Sequence, residues 1–183
     1  MTFRVAGFAG SFSSPSKTRA LIDLAAHRAA ARFGATAVTY DLTDLEPALG
    51  QARSLDDLAP FARAIVATLL SADALIVGSP VYKGSSTGLF KHLFDLIDPA
   101  ALAGKPVLLV ATGGGDKHAL VIEHQLRPLF GFFESATLAT GVYASSADFV
   151  DGLPASSALL SRLDRAVDQF QPWLGRAAAA QAA

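Results

Sequence analysis

Three short polar stretches carry most of the chemistry this sequence offers. The first, "GSFSSPSKT" at 10–18, sets hydroxyls at Ser11, Ser13, Ser14, Ser16 and Thr18 around the Lys17 ammonium, just ahead of a helix. Hydroxyls, one cation and the free N–H groups of a helix start together make a cradle for a phosphate dianion. The stretch is not G-x-G-x-x-G and lacks a G-K-[ST] end, which argues against a dinucleotide or ATP ligand of those kinds. Its plain alternative is a serine-rich loop ending in a helix cap at Thr18. The second stretch, within "GSPVYKGSSTGLFKHLFDLID" at 78–98, builds a polar turn around Tyr82 where an apolar strand should pass directly into a helix. The third, "ATGGGDKH" at 111–118, puts three consecutive glycines after a strand. Glycines there permit positive φ and let a flat ligand lie on bare backbone, or else form a mere turn with Asp116 capping the next helix. One loop for phosphate, one with an aromatic on a turn and one of bare backbone suit a flat heterocycle with a phosphate tail.

These loops need a scaffold that brings them together. Short β-rich runs alternate with helical stretches: "FRVAGFAG", "ATAVTYDL", "ALIVGSP", "KPVLLVAT" and "ATLATGVYA" read as strands. Helices are expected over Thr18–Arg32, Leu58–Leu70, "GLFKHLFDLI", His118–Phe133 and Ser156–Leu174. The strands lack in-out alternation, which indicates a parallel sheet covered on both faces, an α/β doubly wound sandwich. In such sheets ligands sit beyond the carboxyl ends of the strands, where the strand order reverses, and the three loops should converge there.

Length, composition and charge narrow the function classes. With 183 residues and 51% hydrophobic content, a single domain over 1–176 is expected, with the Ala-rich tail 177–183 frayed. A net charge of -1, with both signs scattered, gives no basic stripe for nucleic acid or an anionic membrane surface. No apolar run approaches the roughly 18 residues of a membrane span, and the opening "MTFRVAGFAGS" reads as a buried strand rather than a signal peptide, so a cytoplasmic location is expected. The absence of cysteine excludes disulfides and thiolate chemistry, and a single methionine suits a protein made under sulfur scarcity. His27 and His92 fall on helices as surface or half-buried side chains. His118 and His124 stand six apart, unsuited to a metal pair on one helix face, so no metal is expected; His118 is placed to touch a ligand just past the glycines.

The stretches "GSPVYKGSSTGLFKHLFDLID", "ATGGGDKHALVIEHQLRPLF" and "TGVYASSADF" strongly resemble the NAD(P)H-dependent FMN reductases of bacterial sulfonate-utilisation systems. The resemblance spans nearly the whole chain and implies a flavodoxin-like fold with a five-stranded parallel sheet in the order 2-1-3-4-5. It implies FMN as cofactor, NADH or NADPH as hydride donor, and a separate flavin-dependent monooxygenase as recipient of reduced FMN. On the same basis Ser11, Ser16, Lys17 and Thr18 would bind the phosphate. Pro80, Val81, Tyr82 and Lys83 would wrap the isoalloxazine ring with backbone N–H groups near N5 and O4, and Thr112, Gly113 and Gly114 would meet its pyrimidine side. No protein residue is then catalytic in its own right, because hydride passes directly between stacked rings. Ser13 stands where many relatives have arginine and Ser86 where they often have an aromatic, which points to weaker flavin affinity, as suits a reductase that releases FMN.

Two rivals stay open: a quinone or azo-compound reductase with tightly bound FMN, and a flavodoxin-type electron carrier, the latter disfavoured by the near-neutral charge. One further feature stands apart. Pro128, inside the helix "HALVIEHQLRPLF", lacks an N–H and crowds the His124 carbonyl. The helix must bend or widen there, and the resemblance, in which some relatives carry tyrosine in an inserted wide turn where His124 stands, implies a kink or π-type turn at His124. The resemblance places that helix at the subunit interface of a homo-oligomer, a dimer or a tetramer built from dimers, with assembly weakening in acid as the imidazole charges.

Overall fold

A computed structural model describes residues 2–175; the tail 177–183 lies outside the described residues. The sheet runs β2 (Thr36–Asp41), β1 (Arg4–Ala9), β3 (Ala74–Pro80), β4 (Pro106–Gly113), all parallel. The fifth position is shared by two short strands that both pair with β4: β5 (Ala136–Thr137) and β6 (Val142–Ser145). Thus the order 2-1-3-4-5 holds, but the fifth strand is broken where one continuous run was expected. Gly141 sits at the break, and a Cβ there would fall 2.6 Å from the Ile122 side chain, so the chain detours around a close approach.

Alternate residues of the central strands feed two separate cores. Ala6, Phe8, Leu75, Val77, Leu109 and Ala111 face α2 (Pro60–Ser71), α3 (Gly88–Asp95) and the stretch 121–133, while Val5, Ala9, Ile76, Leu108 and Val110 face α1 (Lys17–Phe33) and α5 (Ser157–Asp168). With both faces covered, polarity cannot mark the period along these strands, which is why they read as unbroken apolar runs. Edge strand β2 is half-buried along most of its length. Phenylalanines weld the first core: Phe94 lies 4.9 Å from Phe90 and 4.8 Å from Phe130, the latter edge-to-face.

The helix expected over His118–Phe133 is composite. A 3₁₀ turn at Asp116–His118 leads to a π turn at Ile122–Leu126 and then α4 (Arg127–Phe132). The wide turn is where Pro128 demands it, because the Arg127 N–H reaches back five residues to the Ile122 carbonyl. Arg127 braces the turn: its guanidinium grips Glu123 at 2.6 and 2.9 Å and reaches the Leu138 carbonyl at 3.0 Å, and this grip holds the Glu123 carboxyl below its usual range. The last helix is likewise divided, α5 ending at Asp168 and α6 (Gln171–Leu174) starting afresh, since the Pro172 ring would crowd the carbonyl of Asp168. An unforeseen hairpin, β7 (Phe149–Val150) with β8 (Leu153–Pro154), folds over α1. Among the described residues no helix is long and apolar enough to cross a membrane.

Candidate functional site

The first loop is pinned at its base before it reaches α1. The Gly10 N–H donates to the Gly78 carbonyl (2.7 Å), the Thr87 hydroxyl to the Gly10 carbonyl (2.8 Å), and the Leu42 N–H to the Ser11 carbonyl (3.2 Å). At its far end the helix cap is Ser16, whose hydroxyl accepts the Arg19 N–H at 3.1 Å; the alternative of a cap at Thr18 is thereby corrected. Thr18 is instead buried in the first helical turn, its hydroxyl 2.6 Å from that of Thr112. The N–H groups of Lys17 and Thr18 have no acceptor among the described residues, and the first turn holds no acid. Those open amides and the Lys17 ammonium leave a positive end available to an anion. Lys17 Nζ rests 5.5 Å from the centre of the Phe149 ring, which holds the charge at the cleft.

The second loop is a tight two-residue turn. Tyr82 and Ser85 exchange N–H···O bonds of 2.9 and 3.2 Å across Lys83 and Gly84, both at positive φ (52° and 84°), the primed geometry for which glycine is suited. The Val81 N–H donates to the Thr112 carbonyl at 2.7 Å, tying this loop to the third. With Val81 and Tyr82 engaged, the Lys83 and Gly84 amides are the ones this turn presents unpaired among the described residues. Tyr82 projects into solvent (46% exposed), edge-on to the Phe12 ring at 6.0 Å.

None of the three glycines at 113–115 has a positive φ, so left-handed freedom is not their purpose. Gly113 answers to packing: a Cβ there would fall 2.2 Å from the Tyr143 hydroxyl, which donates to the Gly115 carbonyl. Burial, helped by Asp116 and Asp148, pushes the Tyr143 phenol above its ordinary range. Gly114 has nothing within 4 Å of such a Cβ. Neither a positive φ nor packing within the chain requires glycine at Gly114, so its backbone lies bare at the cleft. Asp116 sits within the following 3₁₀ turn and Gly115 is at the cap position.

The loops converge on a cleft of about 310 Å³ at the carboxyl ends of β1, β3 and β4. Ser11, Ser13, Ser16, Lys17 and Thr18 line one end; Pro80, Val81, Tyr82, Thr112, Gly113 and Gly114 line the other. Lys83 stands outside the lining, on the turn beyond Tyr82, and His118 is also outside it. Three wall residues were not singled out from the sequence, Pro15, Ser146 and Phe149. Ser146 and Phe149 lie in "TGVYASSADF", whose serine-rich turn after a strand was the available signal. Size and lining fit a phosphorylated flavin: open amides and a cation at one end, bare backbone at the other.

The Thr18–Thr112 contact joins the phosphate-type end to the glycine end. Thr112→Val alone should leave the Thr18 hydroxyl buried without a partner and lower stability by about 1–3 kcal/mol in urea denaturation. Adding Thr18→Val should recover much of that loss; an equal or larger loss in the double variant would show that the strut is not what the fold relies on there.

The architecture and cleft define a flavodoxin-like α/β protein with a mononucleotide-type site. The sequence model of the NADPH-dependent FMN reductase family matches residues 3–149. An FMN reductase (NADPH) of Pseudomonas aeruginosa is 42% identical over 94% of this chain and 93% of its own length. An NADH-dependent FMN reductase SfnF of Pseudomonas fluorescens is 42% identical over 94% and 92%. Among solved structures, an NADH:FMN oxidoreductase in its apo form superposes with a TM-score of 0.80 at 30% identity, over 94% of this chain and 90% of that one. The chain belongs to the NADPH-dependent FMN reductase family. It is an oxidoreductase that works with FMN and a reduced nicotinamide nucleotide.

Proposed function

We propose that this single-domain, cytoplasmic reductase delivers reduced FMN to a separate flavin-dependent monooxygenase acting on a sulfonate. The observation that carries the reading is the pairing of a cationic helix start, its first amides open, with the bare backbone of Gly114 in one cleft. FMN, when bound, would supply a two-electron acceptor for hydride from the nicotinamide. Lys17 and the amides of Lys17 and Thr18 take the phosphate, with Ser11 and Ser16 beside them. Gly113 and Gly114 give the flat ring a floor, and the Pro80–Lys83 turn closes over it, offering the Lys83 amide while Val81 keeps the turn fastened to Thr112. Hydroxyl-rich, open walls and a single cation match a flavin that comes and goes. The sulfonate link is supported by relatives whose names, SfnE and SfnF, denote NADH-dependent FMN reductases, and by the chain's scarcity of sulfur residues.

Exposed Leu120 and Phe132 flank the π turn on the composite helix, which supports its use as an interface between copies, in a dimer or a tetramer of dimers. Sedimentation velocity should show that oligomer, and a monomer at every concentration would refute it. Activity is tested by oxidation of NADH or NADPH with and without added FMN. Turnover that scales with added FMN is expected; turnover with a quinone and no added flavin would favour the quinone reductase reading instead.

A further inference from the structure

A second cavity of about 630 Å³ adjoins the flavin cleft and shares Ser16 with it. Its floor is one face of α1, from Ser16 through Ala20 and Leu24 to His27, and its wall is Leu153 and Pro154 of the hairpin. One hairpin bounds both spaces, because Phe149, on the flavin side, pairs directly with Pro154, on the groove side. The two spaces therefore meet at Ser16, beside the start of α1.

The groove's chemistry selects the group that the phosphate carries. Leu153 is 63% exposed, and with Ala20, Leu24 and Pro154 it forms an apolar slot suited to a flat base. Asp23 offers a carboxylate to amino or hydroxyl donors, its charge shared, among the described residues, only with His27 Nδ1 at 3.5 Å. Arg19 stands at the entrance, but Asp41 and Asp44 already hold its guanidinium at 2.8 and 2.9 Å. Burial opposes its charge, yet these two carboxylates more than offset that and keep its pKa above the usual guanidinium range. With that cation answered and Asp23 unopposed by a strong base, a free dianion is disfavoured and a neutral nucleoside on a tether is favoured. The lack of G-x-G-x-x-G excludes a Rossmann-style seat for a pyrophosphate but leaves this side groove untouched.

We propose that the groove receives the adenosine half of a dinucleotide whose other half lies in the flavin cleft. The proposal rests on the flavin reading of that cleft. Two dinucleotides carry this chemistry: FAD, whose flavin-side phosphate would take the start of α1, and the nicotinamide donor, whose nicotinamide would stack on the bound flavin and whose adenosine would reach the groove from there. Ala20→Phe fills the slot, and Leu153→Asp, at an exposed position, spoils it without touching the core. Binding of FMN and of FAD is measured by calorimetry on wild type and both variants, with the KM for NADH and NADPH at saturating FMN. About a tenfold loss of FAD affinity with FMN unchanged identifies the flavin adenylate. About a tenfold rise in KM for the nicotinamide donor, with kcat and FAD affinity unchanged, identifies the donor's adenylate. If wild type binds FMN but neither variant moves FAD affinity or KM, the groove assignment is overturned and the flavin reading stands. Wild type that binds neither flavin would sink both.

Discussion

Lys17→Ala will weaken FMN binding about tenfold to a hundredfold while leaving riboflavin binding unchanged. The side chain is exposed and held over Phe149, so its removal disturbs no core contact and the variant should fold normally. A charge-assisted contact of this kind is worth roughly 1.5–3 kcal/mol, and each 1.4 kcal/mol is about a factor of ten. Riboflavin, which lacks the phosphate, serves as the internal control. Equal losses for both ligands would place Lys17 against the ring or in the fold rather than against the phosphate. Fluorescence titration of the two flavins against wild type and variant reads the difference.

Gly113→Ala will cost both stability and flavin affinity, because the new methyl must displace the Tyr143 phenol. The displaced hydroxyl loses its bond to the Gly115 carbonyl, and the glycine backbone shifts with it. Overpacking of this kind costs about 1–3 kcal/mol, and FMN affinity should fall at least tenfold. Tyr143→Phe removes the atom at 2.2 Å and leaves the nearest ring carbon at 3.2 Å, tight but within reach of a small shift. Gly113→Ala in the Tyr143→Phe background should therefore recover most of the stability. Failure to recover in urea denaturation would mean that the clash is not with the phenol. Gly114→Ala makes the contrast: with nothing within 4 Å it should fold like wild type and lose only flavin affinity.

The sequence exposed those parts of the molecule whose physics is local. Unbroken apolar strands announced a sheet covered on both sides, and hydroxyls, glycines and a proline-flanked tyrosine marked the loops at its carboxyl edge. Pro128 predicted a bend or a widening because a missing donor and a ring clash act within one helical turn. What depended on distant partners was harder to read. Thr18 looks like a cap until Thr112 is placed across from it, and the glycine at 113 looks like a positive-φ or turn position until Tyr143 is packed against it. Strands of two residues, such as β7 and β8, have no periodicity to detect, so Ser146 and Phe149 became wall residues only once the hairpin lay over α1. The break in the fifth strand follows from a contact between Gly141 and Ile122, which nothing near either residue discloses.

The central claim, that one cleft seats FMN with its phosphate on the start of α1 and its ring on the glycine backbone, is tested most directly by a crystal structure of the complex with FMN. The phosphate is expected within hydrogen-bond distance of the Lys17 and Thr18 amides and the Lys17 ammonium. The isoalloxazine is expected over Gly113 and Gly114, with the Tyr82 turn against it. A flavin whose ring occupies the groove along α1, or whose phosphate lies away from Lys17, would contradict the account.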